Sequence, residues 1–253
     1  MKKIRLIPRL DIKGPNVIKG IQLEGIRIVG SPQELAKRYY EQGADELLYI
    51  DVVASLYERE NIIEIINKAS KDIFIPLTVG GGVRRIEDIK TFLRAGADKV
   101  AINTAATRNP RLITQSAKMF GSQCIVVSIE AKSLEENKWE AYIENGRERT
   151  GLDVLEWAKE VEELGAGEIL LTSVDKEGTN QGYDIKLINK ISSSVQIPII
   201  ACGGAGNIKH MIDCAKEGNA DAIALASMLH YNKITIPEIK KELLKSNIKV
   251  RLT

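Results

Sequence analysis

Residues 75–106, IPLTVGGGVRRIEDIKTFLRAGADKVAINTAA, return about 120 residues later as IPIIACGGAGNIKHMIDCAKEGNADAIALASML at 197–229. Each copy reads as an apolar strand, a glycine run, an amphipathic helix, a Gly-Ala-Asp-type turn and a second apolar strand. The echo extends upstream: GADELLYID (43–51) matches GAGEILLTS (165–173), and LDIK (10–13) aligns with IEAK (129–132). The order and the near-constant offset mean that one half-unit is used twice.

Within each half, short β-branched runs alternate with helical patterns, the signature of βα units around a parallel sheet. Strands are predicted near 4–11, 46–52, 73–79, 98–103, 124–130, 167–173, 197–202 and 221–226. Helices are predicted near 32–43, 59–70, 86–94, 110–120, 152–165, 184–194, 208–217 and 235–247. In 152–165, Leu155, Ala158, Val161 and Leu164 share a face and Gly165 supplies the stop. Eight βα units with two-fold internal repetition and no Gly/Pro/Ser linker predict an α/β fold: one (β/α)8 TIM barrel over 1–253, built from homologous (βα)4 half-barrels of about 1–122 and 123–253. An open doubly wound sheet accounts less well for equal halves of four strands each.

The 253 residues, 44% hydrophobic, suffice for one such barrel. Lys+Arg 36 against Asp+Glu 34 leaves a formal charge of +2, and no basic cluster is interleaved with aromatics, so a nucleic-acid partner is not expected. Neither a signal-like N-terminus nor an apolar run of about 18 residues is present, so a cytoplasmic protein without membrane attachment is expected. Cys124, Cys202 and Cys214 occur singly, as do His210 and His230. That pattern predicts reduced thiols, no metal centre and no cofactor, and it leaves acid–base chemistry to carboxylates.

Strand alternation turns Arg5, Ile7, Arg9 and Asp11 into the barrel, with Leu6, Pro8 and Leu10 against the helices. In the fifth strand Val126, Ser128 and Glu130 face inward. Asp11 and Glu130 therefore occupy equivalent rim positions in the two halves, and two facing carboxylates can divide general-acid and general-base roles. The plain alternative is that each pairs with Lys13, Lys19 or Lys132. Gly80-Gly81-Gly82 follows strand three and Gly203-Gly204 follows strand seven, while Asn103-Thr104 and Ala226-Ser227 end strands four and eight. Glycine loops let backbone N–H groups and helix N-termini approach a phosphate. Two such sites on opposite edges suit a substrate phosphorylated at both ends. Residues 14–31 and 131–150 are too long for simple connections. The second reads as a surface hairpin or a moving lid, and the first, with Lys19, as a flap over substrate.

RLIPRLDIK, GADELLYIDVVAS, FIPLTVGGGVR, LRAGADKVAINTAA, FGSQCIVVSIEAK, EWAKEVEELGAGEILLTSVDKEGT, GYD and IIACGGAG closely resemble the HisF family, the cyclase subunits of imidazole glycerol phosphate synthase. The resemblance runs nearly end to end. It implies a lyase/cyclase of histidine biosynthesis inside a glutamine amidotransferase complex, with a glutaminase (HisH-like) subunit at the N-terminal barrel face. Ammonia would pass through the barrel to a bis-phosphorylated ribulosyl-formimino-carboxamide ribonucleotide, giving imidazole glycerol phosphate and an aminoimidazole carboxamide ribotide. Asp11 matches the first of the family's acid/base aspartates. Lys19, Asp51, Thr172, the Gly81-Gly82 and Gly203-Gly204 pairs and Gly178 fall on substrate-site positions. Arg5, Glu46, Lys99 and Glu168 match a charged ring gating the ammonia entrance. HisA-like isomerases share the doubled barrel, but the ring and GADELLYIDVVAS align this chain with HisF.

Four departures fall on the site: Glu130 replaces the second aspartate, Glu177 the aspartate of Asp-Gly-Thr, Cys202 a serine and Arg9 a cysteine. A buried guanidinium requires a carboxylate, so Arg9 is expected to pair with Glu130 or Asp51, lowering that carboxylate's pKa and narrowing the ammonia path. These departures keep two other readings open: a HisF-like paralogue that amidates another acceptor, such as a sugar of surface polysaccharide, and a non-catalytic activator of a glutaminase.

Overall fold

The computed structural model describes residues 2–22, 24–52 and 59–252, with the backbone alone at 24–26 and 59–61. Residues 53–55 of the GADELLYIDVVAS motif lie outside the described residues. Eight parallel strands close on themselves: Arg5–Lys13 (β1), Leu47–Asp51 (β4), Leu77–Gly80 (β5), Lys99–Ile102 (β6), Ile125–Glu135 (β7), Glu168–Ser173 (β10), Ile199–Cys202 (β11) and Ala222–Leu225 (β12), which returns to β1. This is a (β/α)8 TIM barrel. The expected strands all appear, although the third starts at Leu77 rather than near 73.

The two long segments are antiparallel additions to equivalent strands. Asn16–Ile21 (β2) pairs with β1 and with Glu24–Gly30 (β3). Lys138–Ile143 (β8) pairs with β7 and with Glu148–Asp153 (β9). Asp11 faces Ile18 in the first ladder and Glu130 faces Tyr142 in the second, so each rim carboxylate stands where a barrel strand passes into its hairpin.

The outer helices are Pro32–Glu41 (α1), Arg59–Asp72 (α2), Ile86–Ala95 (α3), Arg111–Phe120 (α5), Val154–Glu163 (α6), Ile185–Ser192 (α7), Ile208–Lys216 (α8) and Ile236–Lys245 (α10). Short helices Thr104–Arg108 (α4) and Ser227–His230 (α9), not anticipated from the pattern, follow β6 and β12. Caps are written in the sequence: Asp153 accepts from Leu155 N and Glu156 N, Asp184 from Leu187 N and Asn207 from His210 N. The buried face of α6 is Val154, Trp157, Ala158 and Val161, and Leu155 and Leu164 sit at its margin. Ala158 and Val161 of the expected face are thus buried, with Val154 and Trp157 beside them.

Two apolar cores result. Leu6 and Leu10 join the large cluster between sheet and helices, whereas Ile7, Leu48, Ala101, Val126, Leu170 and Ile200 fill the barrel interior. The period-2 alternation in β1 is therefore observed as expected. Among the described residues, no helix is long and apolar enough to cross a membrane.

Candidate active site

At the N-terminal ends of the strands the barrel floor is ionic. Arg5 Nη1 lies 2.6 Å from Glu46 Oε1 and its Nη2 2.5 Å from Glu168 Oε1. Lys99 Nζ lies 3.1 Å from Glu46 Oε2 and 2.8 Å from Glu168 Oε2. Each carboxylate thus bridges the two cations and the ring closes. Burial works against the charge of Arg5, and the two glutamates more than offset it, holding the guanidinium above its ordinary range.

The opposite end opens into a cavity of about 890 Å³. Asp11 from β1, Asp51 from β4 and Glu130 from β7 line it, with Gly81 and Gly82 after β5 and Asn103 and Thr104 after β6. Gly81 is held against the neighbouring strand end: a Cβ there would stand 2.1 Å from the Asp51 carbonyl oxygen, and its φ of +97° is left-handed. Only glycine meets both conditions. Lys19 of β2 reaches into this cavity and also into a second, narrow one of about 20 Å³. Gly178, Gly203, Gly204, Ala226 and Ser227 line the second. The chain thus gathers the candidate rim residues at one barrel end, in two unequal compartments.

Arg9 is inside the barrel and fully enclosed, but its partner is Asp11 rather than Glu130 or Asp51. Arg9 Nε donates to Asp11 Oδ1 at 2.8 Å, and Nη1 donates to Thr172 Oγ1 and Cys202 Sγ, each at 3.3 Å. Residues i and i+2 of a strand share a face, so the guanidinium finds its carboxylate on its own strand. Burial opposes the charge, and Asp11, Cys202 and Glu177 together hold Arg9 above its ordinary range. Thr172, expected at the substrate, accepts a hydrogen bond from Arg9.

Glu130 accepts from Gly146 N at 2.8 Å, in the turn between β8 and β9 that folds over the mouth. Burial pushes its carboxyl up to about 7, against the Gly146 hydrogen bond and the pull of Arg9, with Asp11 and Glu144 adding to the rise. The expected lowering by Arg9 is thereby corrected: desolvation wins. The same turn sends Asn145 Nδ2 to the Val52 carbonyl at 3.0 Å, across the cavity mouth. Residues 131–150 accordingly form a hairpin whose tip spans the barrel opening.

Asn103 is committed to structure, its Nδ2 donating to the Ser128 and Tyr142 carbonyls at 3.0 and 3.3 Å. Thr104 Oγ1 accepts from Glu144 N at 3.3 Å. Arg84, Arg108 and Arg147 also line the large cavity, and sequence reasoning missed them. Arg84 was within reach, since it follows the glycine run closely. Arg147 was not, because only the folded-back hairpin carries it to the mouth. Lys19 is buried on an ion pair with Glu177. Among the described residues no group of three or more His, Cys, Asp or Glu is arranged to hold a metal ion.

The family described as "Histidine biosynthesis protein" matches residues 5–235. The chain belongs to the HisF family. It is 58% identical over 209 residues to the imidazole glycerol phosphate synthase subunit HisF of Legionella pneumophila, covering 83% of this chain and 99% of that protein. The HisF subunit of Lactococcus lactis subsp. cremoris (strain SK11) is 51% identical over 249 residues, covering 98% and 96%. That of Hydrogenobaculum sp. (strain Y04AAS1) is 51% identical over 248 residues, covering 98% of each.

Proposed function

We propose that the chain is the ammonia-using cyclase subunit of an imidazole glycerol phosphate synthase. Its substrate is then the bis-phosphorylated ribulosyl-formimino-carboxamide ribonucleotide, and its products are imidazole glycerol phosphate and the aminoimidazole carboxamide ribotide. The observation that carries this reading is the pair of carboxylates, Asp11 and Glu130, lining one cavity between two glycine cradles in a chain of this family. Their surroundings differ in the way a division of labour requires. Glu130, pushed up to about 7, retains a proton to give near neutrality. Asp11, salt-bridged to Arg9, is the proton acceptor.

The Arg5–Glu46–Lys99–Glu168 ring at the far end is the gate for ammonia supplied by a glutaminase subunit docked on that face. Gly81, Gly82, Gly203 and Gly204 receive the two phosphates, with Lys19, Asp51, Thr172, Gly178, Asn103, Thr104, Ala226 and Ser227 around them. Asn103 also holds the walls through its Nδ2, and Thr172 through the hydrogen bond it accepts from Arg9.

The test is turnover of the bis-phosphorylated nucleotide with excess ammonium at alkaline pH, which bypasses any partner. Imidazole glycerol phosphate should form, and Asp11→Asn should reduce the rate by about 10²-fold or more. No product from folded protein refutes the reading. One observation favours a second reading, in which the same machinery amidates a different acceptor. The Arg9–Asp11 ion pair engages one oxygen of the proposed base. Turnover of another anionic acceptor, with none of the ribulosyl nucleotide, would establish it.

A further inference from the structure

The two glycine cradles differ in what already sits in them. Beside Gly81 and Gly82 the cavity is about 890 Å³ and opens toward Arg84, Arg108 and Arg147. Beside Gly203 and Gly204 it is about 20 Å³, room for about one water molecule and not for a phosphate group. Glu177 lines this narrow space together with the glycines. One of its carboxylate oxygens is on Lys19 Nζ. The other lies 3.4 Å from where a Cβ on Gly203 would stand, over the glycine whose φ of +95° turns the loop. Glu177 is buried, and Arg9 and Lys19 both feel its charge.

The turn that carries the carboxylate is held by backbone contacts. Gln22 N donates to the Glu177 carbonyl at 2.8 Å, tying the end of β2 to the loop after β10. Gly178 presses on the same strand end, so that a Cβ there would lie 2.6 Å from the Gly20 carbonyl oxygen. The β2–β3 hairpin therefore lies directly on the Glu177–Gly178 turn. An anion entering beside Gly203 meets a like charge there.

We propose that Glu177 is a specificity-determining residue: its carboxylate is a tethered anion occupying the second glycine cradle, and a phosphorylated ligand enters that half only by displacing it from Lys19. This rests on the reading of both glycine loops as phosphate cradles. The two ends of the site then differ in affinity although the sequence repeats, and the end at β11 and β12 discriminates among acceptors. A ligand gains the second cradle only when its anionic group out-competes a carboxylate already paired there.

The experiment is a titration of the full chain with inorganic phosphate, followed through backbone amide resonances. Gly81, Gly82 and Thr104 report one cradle, and Gly203, Gly204 and Ser227 report the other. In the wild type the first set should move at phosphate concentrations at least tenfold below the second. In Glu177→Gln the second set should tighten at least tenfold and the first should not change. Glu177→Asp, one methylene shorter and so withdrawn from Gly203, should fall between, and it serves in place of Glu177→Gln if that variant does not fold. Equal affinities at both cradles in the wild type, or an unchanged second set in both variants, overturn the inference. Silence of both sets in every protein overturns the phosphate reading of the cradles, and this inference with it.

Discussion

Replacing Glu130 by glutamine removes a buried ionisable group while preserving its shape and its acceptor for Gly146 N. The folded protein holds the Glu130 carboxyl at about 7, up from its ordinary 4.5, chiefly because burial disfavours the charged form. A carboxyl raised in the folded state favours folding in its protonated form. That advantage is fully present below about 4.5 and is lost as pH rises through about 7. Each pH unit in this interval is worth about 1.4 kcal/mol, so the wild type should lose about 3 kcal/mol relative to Glu130→Gln between pH 4.5 and pH 8. Groups common to both proteins cancel in the comparison. Urea unfolding of both at pH 5, 6, 7, 8 and 9 measures the difference directly. It should be small at pH 5, grow steeply to pH 7 and level off above, with Glu130→Gln the more stable by roughly 6–12 °C in Tm at pH 8. A difference that is flat across this range would show that Glu130 is charged or solvated in the folded chain, and would remove the physical basis for using it as the acid.

Two further predictions concern packing around the same site. Arg9→Met leaves Asp11 buried without its cation and should cost about 3–5 kcal/mol in urea unfolding; Arg9→Met combined with Asp11→Asn should recover most of that, and a double variant as unstable as the single would refute the pairing. Gly81→Ala combines a left-handed φ with a 2.1 Å clash on the Asp51 backbone and should cost well over 3 kcal/mol, whereas Gly151→Ala, at φ +77° with nothing within 4 Å, should cost about 1 kcal/mol in thermal unfolding.

The arrangement of the barrel was readable because its period is. Alternation in RLIPRLDIK separates Leu6 and Leu10 from Ile7 and Arg9, and the folded chain puts Leu6 and Leu10 in the outer core, Ile7 in the inner one and Arg9 beside Thr172 and Cys202. Gly81 and Gly204 were visible as turn residues, and the fold supplies the reason, since each backs onto a neighbouring carbonyl at 2.1 Å from its missing Cβ. The hairpins were only half legible. KWEAYIENGRE reads as a hairpin, but nothing local announces that Asn145 and Gly146 will reach Val52 and Glu130 across the mouth. Residues 14–31 read as a flap, and nothing local announces that Gln22, just after β2, will meet the Glu177 carbonyl.

Partners of buried charges show the same limit more sharply. Periodicity put Arg9 inside and elementary electrostatics required a carboxylate beside it. Which carboxylate depends on reach: Asp11 lies two residues along on the same face, while Glu130 is taken by Gly146. By itself the sequence determined the barrel, the rim positions of Asp11 and Glu130 and the glycine turns, because strand period and turn chemistry are local properties of the chain. The tertiary structure decided that Asp11 binds Arg9, that burial pushes the Glu130 carboxyl up to about 7 and that Glu177 pairs with Lys19 beside Gly203. Those outcomes depend on distances and dielectric between residues far apart in sequence, which no local pattern encodes.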